Sequence, residues 1–532
     1  MQFSRKLYLF CCNFIHILAL IFTGGLFVSA FLFTCYARDM TTQEVLTIPD
    51  NPLASIPSMV IFLFLLWIFR KPLAEHSHRI KPLLLALVLG WVLLSGGLLI
   101  LFGRTAPAAD AWSVYAAAKS LAGGDTSVIH PTGSYLSYYP QQVGLLAFLE
   151  VLVRLWNLLH LDLEAYHFIK CIYVILTCLI VCFQYRTVHL LWKNDSVDCI
   201  YLLLAGMNLP LIMYSSFVYG ETPSFAALSV GIYFLLRLLR EEENTTADSI
   251  LSLLFLTLSV MLRKNSLILI IAVILVVLLE GLSQKRRKLY VYSIICMALA
   301  ISILPFTQKI YEHRADSYLK SGVPAMSYFA MGMQESSRGN GWYNGFNFNT
   351  YESTGMDTRA TKEISRNVIA ERTTYFREHP DYAAAFYFNK YLSQWADGTY
   401  ASRQATLATL GERHPKVKEL YDGSYSPFYI GFCNLYQNIV YLGCFCCFFF
   451  RTWKRRPREL SLYLGIIGVF GGFLFHMLWE ANARYIFLYG LLLIPYAAQG
   501  LFELSNTSVP AKIRRSSKAR TEDEVQTPSI AG

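Results

Sequence analysis

Asp110 opens a polar stretch, Arg104 to Gln142, that interrupts a long series of apolar segments. An acid so close to hydrocarbon costs a few kcal/mol unless it is solvated or paired, so such a residue is a site candidate on physical grounds. The same stretch carries a Gly123-Gly124-Asp125 turn, His130, and the run Tyr135, Tyr138, Tyr139, Pro140, Gln141, Gln142. Aromatic faces and amides of this kind suit a pocket for a sugar and a phosphate.

Three further polar corners lie between apolar runs. At Arg263 and Lys264 two adjacent cations need an anion, and a lipid phosphate is the most available one at a bilayer surface; the alternative is that both snorkel to the interface, the favoured reading for Lys264. Glu221, in Tyr219-Gly220-Glu221, stands at a helix start, where it either caps free N–H groups or contacts a ligand. Glu480 and Arg484 are spaced i, i+4, so on a helix they form an ion pair, either self-satisfying or orienting Arg484 toward a phosphate or sugar. The aromatic and amide cluster Trp342, Tyr343, Asn344, Phe346 and Asn347 reads equally as a carbohydrate platform or as packing at a membrane surface.

The elements that must hold these corners are membrane helices. Of 532 residues 55% are hydrophobic and 15% charged, the composition of a polytopic membrane protein. The net charge of +10 gathers in short links between apolar runs, which signals orientation and excludes a nucleic-acid partner. All 12 cysteines lie in or beside apolar segments, so no disulfide framework or metal-ligand set is implied and each reads as a small buried hydrophobe. Neither a phosphate-binding loop nor a dinucleotide fingerprint is present, and no pair of matching halves suggests a transporter.

Apolar runs long enough to cross a bilayer fall near 7–34, 53–69, 82–103, 165–185, 199–219, 222–240, 247–262, 266–283, 289–306, 429–450, 459–479 and 484–503. The fold expected is thus all-α and polytopic, with about 12 transmembrane helices. A module over 1–306, with its loop 104–142, precedes a small, mostly helical extracytoplasmic domain over 307–428; membrane helices over 429–503 and a disordered cytoplasmic tail over 504–532 follow. Placing Arg5 and Lys6, Arg70 to Lys81, Lys285 to Lys288, Arg451 to Arg458 and the tail cations Lys512 to Arg520 in the cytoplasm puts every polar corner on the outer face, with both termini inside. That scheme requires Val143 to His160 to be a juxtamembrane or re-entrant helix; a true crossing would invert every later link. The Asn-x-Ser/Thr triplets at Asn194, Asn244 and Asn506 fall on or near the inner face and carry no weight.

The order of these elements resembles the GT-C fold of membrane glycosyltransferases, in the bacterial branch that includes protein mannosyltransferases and lipid A aminoarabinose transferases. The resemblance rests on Asp110-Ala-Trp-Ser-Val-Tyr115, Ser137-Tyr-Tyr-Pro-Gln-Gln142, the Tyr219-Gly-Glu221 corner and Glu480-Ala-Asn-Ala-Arg484-Tyr485. It implies a plasma-membrane enzyme moving a sugar from a polyprenyl-phosphate donor to a cell-envelope glycan, glycolipid or protein. Under it Asp110 is the general base, Arg263, Lys264 and Arg484 face the donor phosphate, and Tyr138, Tyr139, Gln141, Glu221 and Glu480 face sugar or acceptor. No protein-bound metal or cofactor is assigned, which leaves room for a divalent ion. Two departures bear on the donor: Ala111 stands where mannosyltransferases carry a second acid, and the Tyr-Tyr-Pro-Gln element lacks the lysine of the aminoarabinose enzymes. A lipid-linked polysaccharide polymerase or ligase is the alternative enzyme, and a lipid-linked sugar transporter or flippase the non-enzymatic one.

Overall fold

The computed structural model describes residues 2–38, 42–240 and 245–507. Residues 508–532 of the expected cytoplasmic tail and Asn244 lie outside the described residues, and the first tail residues, 504 and 505, still belong to the last helix. The chain is a bundle of long apolar helices carrying a layer of shorter polar helices on one end, here the capped end. Helix α1 (Gln2–Leu32) runs into a two-stranded antiparallel ribbon, β1 (Phe33–Ala37) and β2 (Val45–Pro49), in register Cys35 with Thr47. Next come α2 (Pro52–Leu98), closed by a π turn over Leu99–Gly103, then α3 (Ala109–Ala122), the single turn α4 (Tyr135–Tyr138), α5 (Val143–Leu159), α6 (Ala165–Trp192), α7 (Asp195–Met207), α8 (Leu209–Tyr214), α9 (Glu221–Arg240), α10 (Thr245–Leu262), α11 (Leu267–Gln284) and α12 (Arg287–Ala315). The capping layer holds α13 (Ala325–Gly332), α14 (Phe346–Ser353), α15 (Thr358–Glu378), α16 (Pro380–Trp395), α17 (Ser402–Ala405) and α18 (Pro415–Asp422), after which α19 (Ser426–Trp453), α20 (Leu464–Leu478) and α21 (Ala483–Ser505) return to the bundle.

Ten helices are long and apolar enough to cross a membrane among the described residues. The runs 53–69 and 82–103 are one continuous helix rather than two spans parted by a basic link. Straight, its 47 residues would measure about 70 Å, over twice the hydrocarbon thickness, and the interior Pro72 and Pro82 are where it can bend. Both ends adjoin the capped end: Asp50 accepts from Thr34 at 2.8 Å and Asn434 at 3.2 Å, while Arg104 O accepts from Leu410 N at 2.8 Å. The run 199–219 is split at Asn208, whose carbonyl oxygen Oδ1 caps α8 ahead of Pro210. Helix α12 continues to Ala315, so the expected boundary at 306 falls inside it.

The basic links meet at the opposite end. Tyr8 donates to Glu280 at 3.0 Å, Arg240 reaches Glu459 at 3.1 Å and Leu190 O at 3.1 Å, and Lys81 pairs with Asp195 at 2.5 Å. Close packing inside the bundle uses small residues: a Cβ on Gly500 of α21 would lie 1.8 Å from Gly443 O of α19, so side chains there would force the helices apart. The twelve cysteines are all free; against the expected burial, Cys171 is exposed and Cys11, Cys178 and Cys182 are half-buried.

Helix α5 has the length and composition of a span but not its geometry. Its start lies against the end of α10, where a Cβ on Gly144 would be 1.9 Å from Met261 O. Residues 160–164 then lead directly into α6, whose Lys170 donates to Thr105 O at 3.0 Å at the capped end. So short a connector reaches about 20 Å, less than a bilayer core. Both ends of α5 therefore lie at the capped end, and Glu150, which accepts from Tyr311 and Arg314 at 2.6 Å each, pins it to the end of α12. In a cysteine-free background, Asp162→Cys should react with a membrane-impermeant maleimide from the same side as Asp381→Cys and the opposite side to Lys285→Cys. Labelling of Asp162→Cys with the Lys285→Cys group would make α5 a crossing.

Candidate functional site

Glu221 begins α9 after a corner fixed by neighbouring side chains. Tyr173 OH donates to Tyr219 O at 2.8 Å, Thr222 Oγ1 donates to Tyr214 O at 3.2 Å, and Ser224 Oγ donates to Ser259 O at 2.9 Å. The last bond ties α9 to the final turn of α10, just ahead of the corner where Arg263 is extended (φ −154°, ψ 112°) before a 3-10 turn over Lys264–Ser266. Glu221 forms an ion pair with Arg263, and its Oε1 lies 3.3 Å from Arg484 Nε in the first turn of α21. Its oxygens accept no backbone N–H, so it bridges two guanidinium groups rather than capping its helix. The three side chains are 5% to 21% exposed, too dry for an unpaired charge. Arg484 also lies 5.5–5.6 Å from the ring centres of Phe217, Tyr219 and Tyr485.

Asp110 occupies the first turn of α3, where a carboxylate is favoured by the helix N-terminus. It is accessible to solvent, yet protein on several sides drives its carboxyl pKa above the usual carboxylate range. Loss of water around it is the main cause; Arg484 and a hydrogen bond from Tyr135 pull the other way, and Glu221 adds to the rise. Tyr139 lies in the same electrostatic neighbourhood: its pKa is raised by burial and by the charges of Asp110 and Glu480, and its ring centre lies 5.0 Å from that of Tyr135. Gln142 Nε2 donates to Tyr219 OH at 2.5 Å, joining the tyrosine run to the Glu221 corner.

Glu480 and Arg484 do not share a helix face. Residues 479–482 are not helical, since Ala481 N donates to Gly341 O at 2.7 Å and Asn482 caps α21 through Arg484 N at 2.9 Å. The expected i, i+4 pair is therefore replaced: Arg484 turns to Glu221, and Glu480 is buried in the seam with the capping layer. Burial pushes Glu480 up to about 7, opposed by Arg484 and reinforced by Asp110. Lys390, fully buried on α16, donates to Gly332 O at 2.5 Å and Trp479 O at 2.7 Å, which clamps this seam. Burial lowers its pKa to about 7.

The other expected site residues distribute unevenly. Tyr138 points to the capping layer, bonded to Glu352 and stacked on Phe348 at 5.2 Å, and ties the tyrosine run to that layer. Gln141 is half-buried and makes no side-chain hydrogen bond among the described residues. Lys264 is exposed and stays outside the Glu221 cluster, so Arg263 alone faces inward. Within the aromatic and amide cluster Trp342 is packing, its Nε1 donating to Ser393 at 2.9 Å, whereas Tyr343 is exposed and sits in the field of Glu480 and Asp110. Tyr135, Tyr219, Tyr343 as a partner of Asp110, and Lys390 were not anticipated as parts of one arrangement.

Among the described residues one group could hold a metal, although none was expected from the sequence. His189, Asp195 and Asp198 at the basic end offer ligand atoms within 4.8 Å of one another. Lys81 already supplies a cation there, 2.5 Å from Asp195 and 3.8 Å from Asp198, so the group reads as an ion-pair cluster. The signal was a His ending one helix and an Asp-x-x-Asp starting the next.

Comparison with known families places the chain firmly in the membrane: it belongs to a family described as conserved hypothetical integral membrane protein, whose model matches residues 10–498. No curated protein matches it.

The Glu480 geometry has a pH consequence. Its folded pKa of about 7 lies above the ordinary 4.5, so the folded state holds a proton that the unfolded chain releases. Stability contributed by this group is present below about pH 4.5 and falls as pH rises to about 7, a loss of about 3 kcal/mol at most. Thermal unfolding in detergent should show Glu480→Gln losing less stability than the parent between pH 5 and pH 8. Parallel pH profiles for the two proteins would contradict the burial of an ionisable group at this seam.

Proposed function

We propose that this integral membrane protein is a GT-C-type glycosyltransferase that moves a monosaccharide from a polyprenyl-phosphate donor to a cell-envelope acceptor at the outer face of the plasma membrane. The observation that carries the reading is the gathering of Asp110, Glu221, Arg263 and Arg484 at the capped end, with Asp110 accessible and the two arginines held together behind it. A transporter would instead need polar groups in series through the bilayer midplane. In this reading α5 does not cross, whereas α10, the two limbs of α2 and the broken pair α7–α8 do, which gives about twelve crossings, both termini cytoplasmic and the capped end outside.

The chemistry needs little beyond positioning. Asp110 accepts the proton of the acceptor hydroxyl as that oxygen bonds to the anomeric carbon. The bond from the anomeric carbon to the phosphate oxygen breaks, and the lipid phosphate leaves with the electron pair. Two guanidinium groups against one Glu221 carboxylate leave a net positive charge to meet that growing anion. Tyr139 and Tyr343 offer ring faces to the sugar. With one base and no second carboxylate placed as a nucleophile, a single displacement inverts the anomeric centre.

Purified protein incubated with a panel of polyprenyl-phosphate monosaccharides should consume one of them in an acceptor-dependent way. Asp110→Asn, with folding intact, should lower that rate about 10²- to 10⁴-fold. Because the carboxyl pKa is raised, the parent's kcat/KM should climb with pH through a value above 3.8 as Asp110 ionises, and that limb should vanish in Asp110→Asn. Ordinary turnover by the variant would remove Asp110 as the base; passage of the donor across vesicles without sugar transfer would favour a transporter.

A further inference from the structure

A cavity of about 1290 Å³ opens at the capped end, with none of the Asp110 or Glu221 cluster in its lining, between the start of α2 and the first half of α19. Apolar side chains of α19, among them Phe428, Ile430 and Leu435, line one part of it, and Thr34, Asp50, Asn434 and Asn438 form a polar floor. Asn438 lies twelve residues into α19, about 18 Å along the helix from Ser426. The segment from Asp397 to Arg403, at the start of α17, separates this cavity from the Glu221 corner: Tyr214 OH donates to Tyr400 O at 2.6 Å on the corner side, and Arg403 lines the cavity.

The floor is asymmetric in hydrogen-bonding character. Asn434 is 8% exposed and Asn438 1% exposed, and the Oδ1 of each has no hydrogen-bond partner among the described residues. Buried amide oxygens left unmet cost about 1–3 kcal/mol each, so their persistence beside an open cavity points to a ligand that supplies donors. Asp50, held by Thr34 and Asn434, adds a further acceptor. Arg403 is committed elsewhere, donating to Tyr421 O at 3.0 Å and to Ser426, while Arg38 stands at the exposed rim, 3.7 Å from Glu44. A floor of acceptors whose buried arginine is engaged suits hydroxyl groups better than a phosphate.

We infer that this cavity binds an amphipathic lipid with an uncharged, hydroxyl-rich headgroup, a glycolipid, with its hydroxyls on Asn434, Asn438 and Asp50 and its chains along the apolar side of α19. The size fits such a ligand, being above the range of ordinary small-molecule pockets. The inference stands apart from the transferase reading, since it concerns binding at separate residues.

Gly431 provides a clean probe, because a Cβ there meets nothing within 4 Å and lies on the cavity wall. The full-length protein in nanodiscs would be irradiated with a hexosyl diacylglycerol bearing a diazirine in one acyl chain, and labelled peptides mapped by mass spectrometry. Matched diazirine-tailed phosphatidylethanolamine and phosphatidylglycerol would be run at the same mole fraction. The glycolipid should label residues around 427–438 about five- to tenfold more than either phospholipid, the equivalent of one or two hydrogen bonds. Gly431→Phe, which fills the cavity, and Asn438→Leu, which removes an acceptor, should each bring that labelling down to the phospholipid level. Equal labelling by all three lipids, a preference for the ammonium headgroup, or undiminished labelling of Gly431→Phe would overturn the assignment.

Discussion

One carboxylate, Glu221, organises the capped end of the bundle. It lies between Arg263 and Arg484, so that three segments distant in sequence (the start of α9, the corner after α10 and the start of α21) are tied at one point. Two guanidinium groups in so dry a place repel each other strongly without it, because charge interactions there are far less screened than in water. Desolvating the trio is costly, and a buried ion triad is weak evidence of stabilisation by itself. Its value lies in geometry. It holds cations at a fixed depth, with a net charge left over, behind an acid that solvent can reach.

The capping layer closes this arrangement from above. Lys390 reaches the carbonyls of Gly332 and Trp479, and Ala481 pairs with Gly341, so the approach to α21 is set by the layer rather than by the bundle. Tyr328 stacks on Trp479 at 4.8 Å along the same seam. Glu480 is thereby buried and Arg484 is released toward Glu221. The candidate site thus forms where layer and bundle meet, and neither part carries it alone. The helix α5, laid along that level between Met261 and the end of α12, completes the wall beneath the tyrosine run.

Much of this was legible in the sequence and the rest was not, for identifiable reasons. The polar corners at Asp110, Glu221, Arg263 and Arg484 stand out because charge is scarce in apolar surroundings, and the same scarcity marks the basic links that meet at the other end. Tyr135 and Tyr219 stood out within their motifs but drew no role of their own, since their importance comes from distant partners. The pairing of Glu480 with Arg484 failed because the i, i+4 rule assumes a helix, and a strand-like contact with Gly341 overrides the local spacing. Likewise Arg70 to Lys81 read as a loop from its charges and prolines, while the backbone stays helical through them.

The central claim is that Glu221 acts as the shared counter-charge of two arginines, and a stability comparison tests it most directly. Unfolding free energies would be measured in one detergent for Glu221→Gln, for Arg263→Gln with Arg484→Gln, and for all three changes together. The account predicts that Glu221→Gln alone costs about 3–5 kcal/mol by stranding two buried cations, and that the triple variant is more stable than that single one. Additive losses, with the triple variant least stable of all, would contradict it.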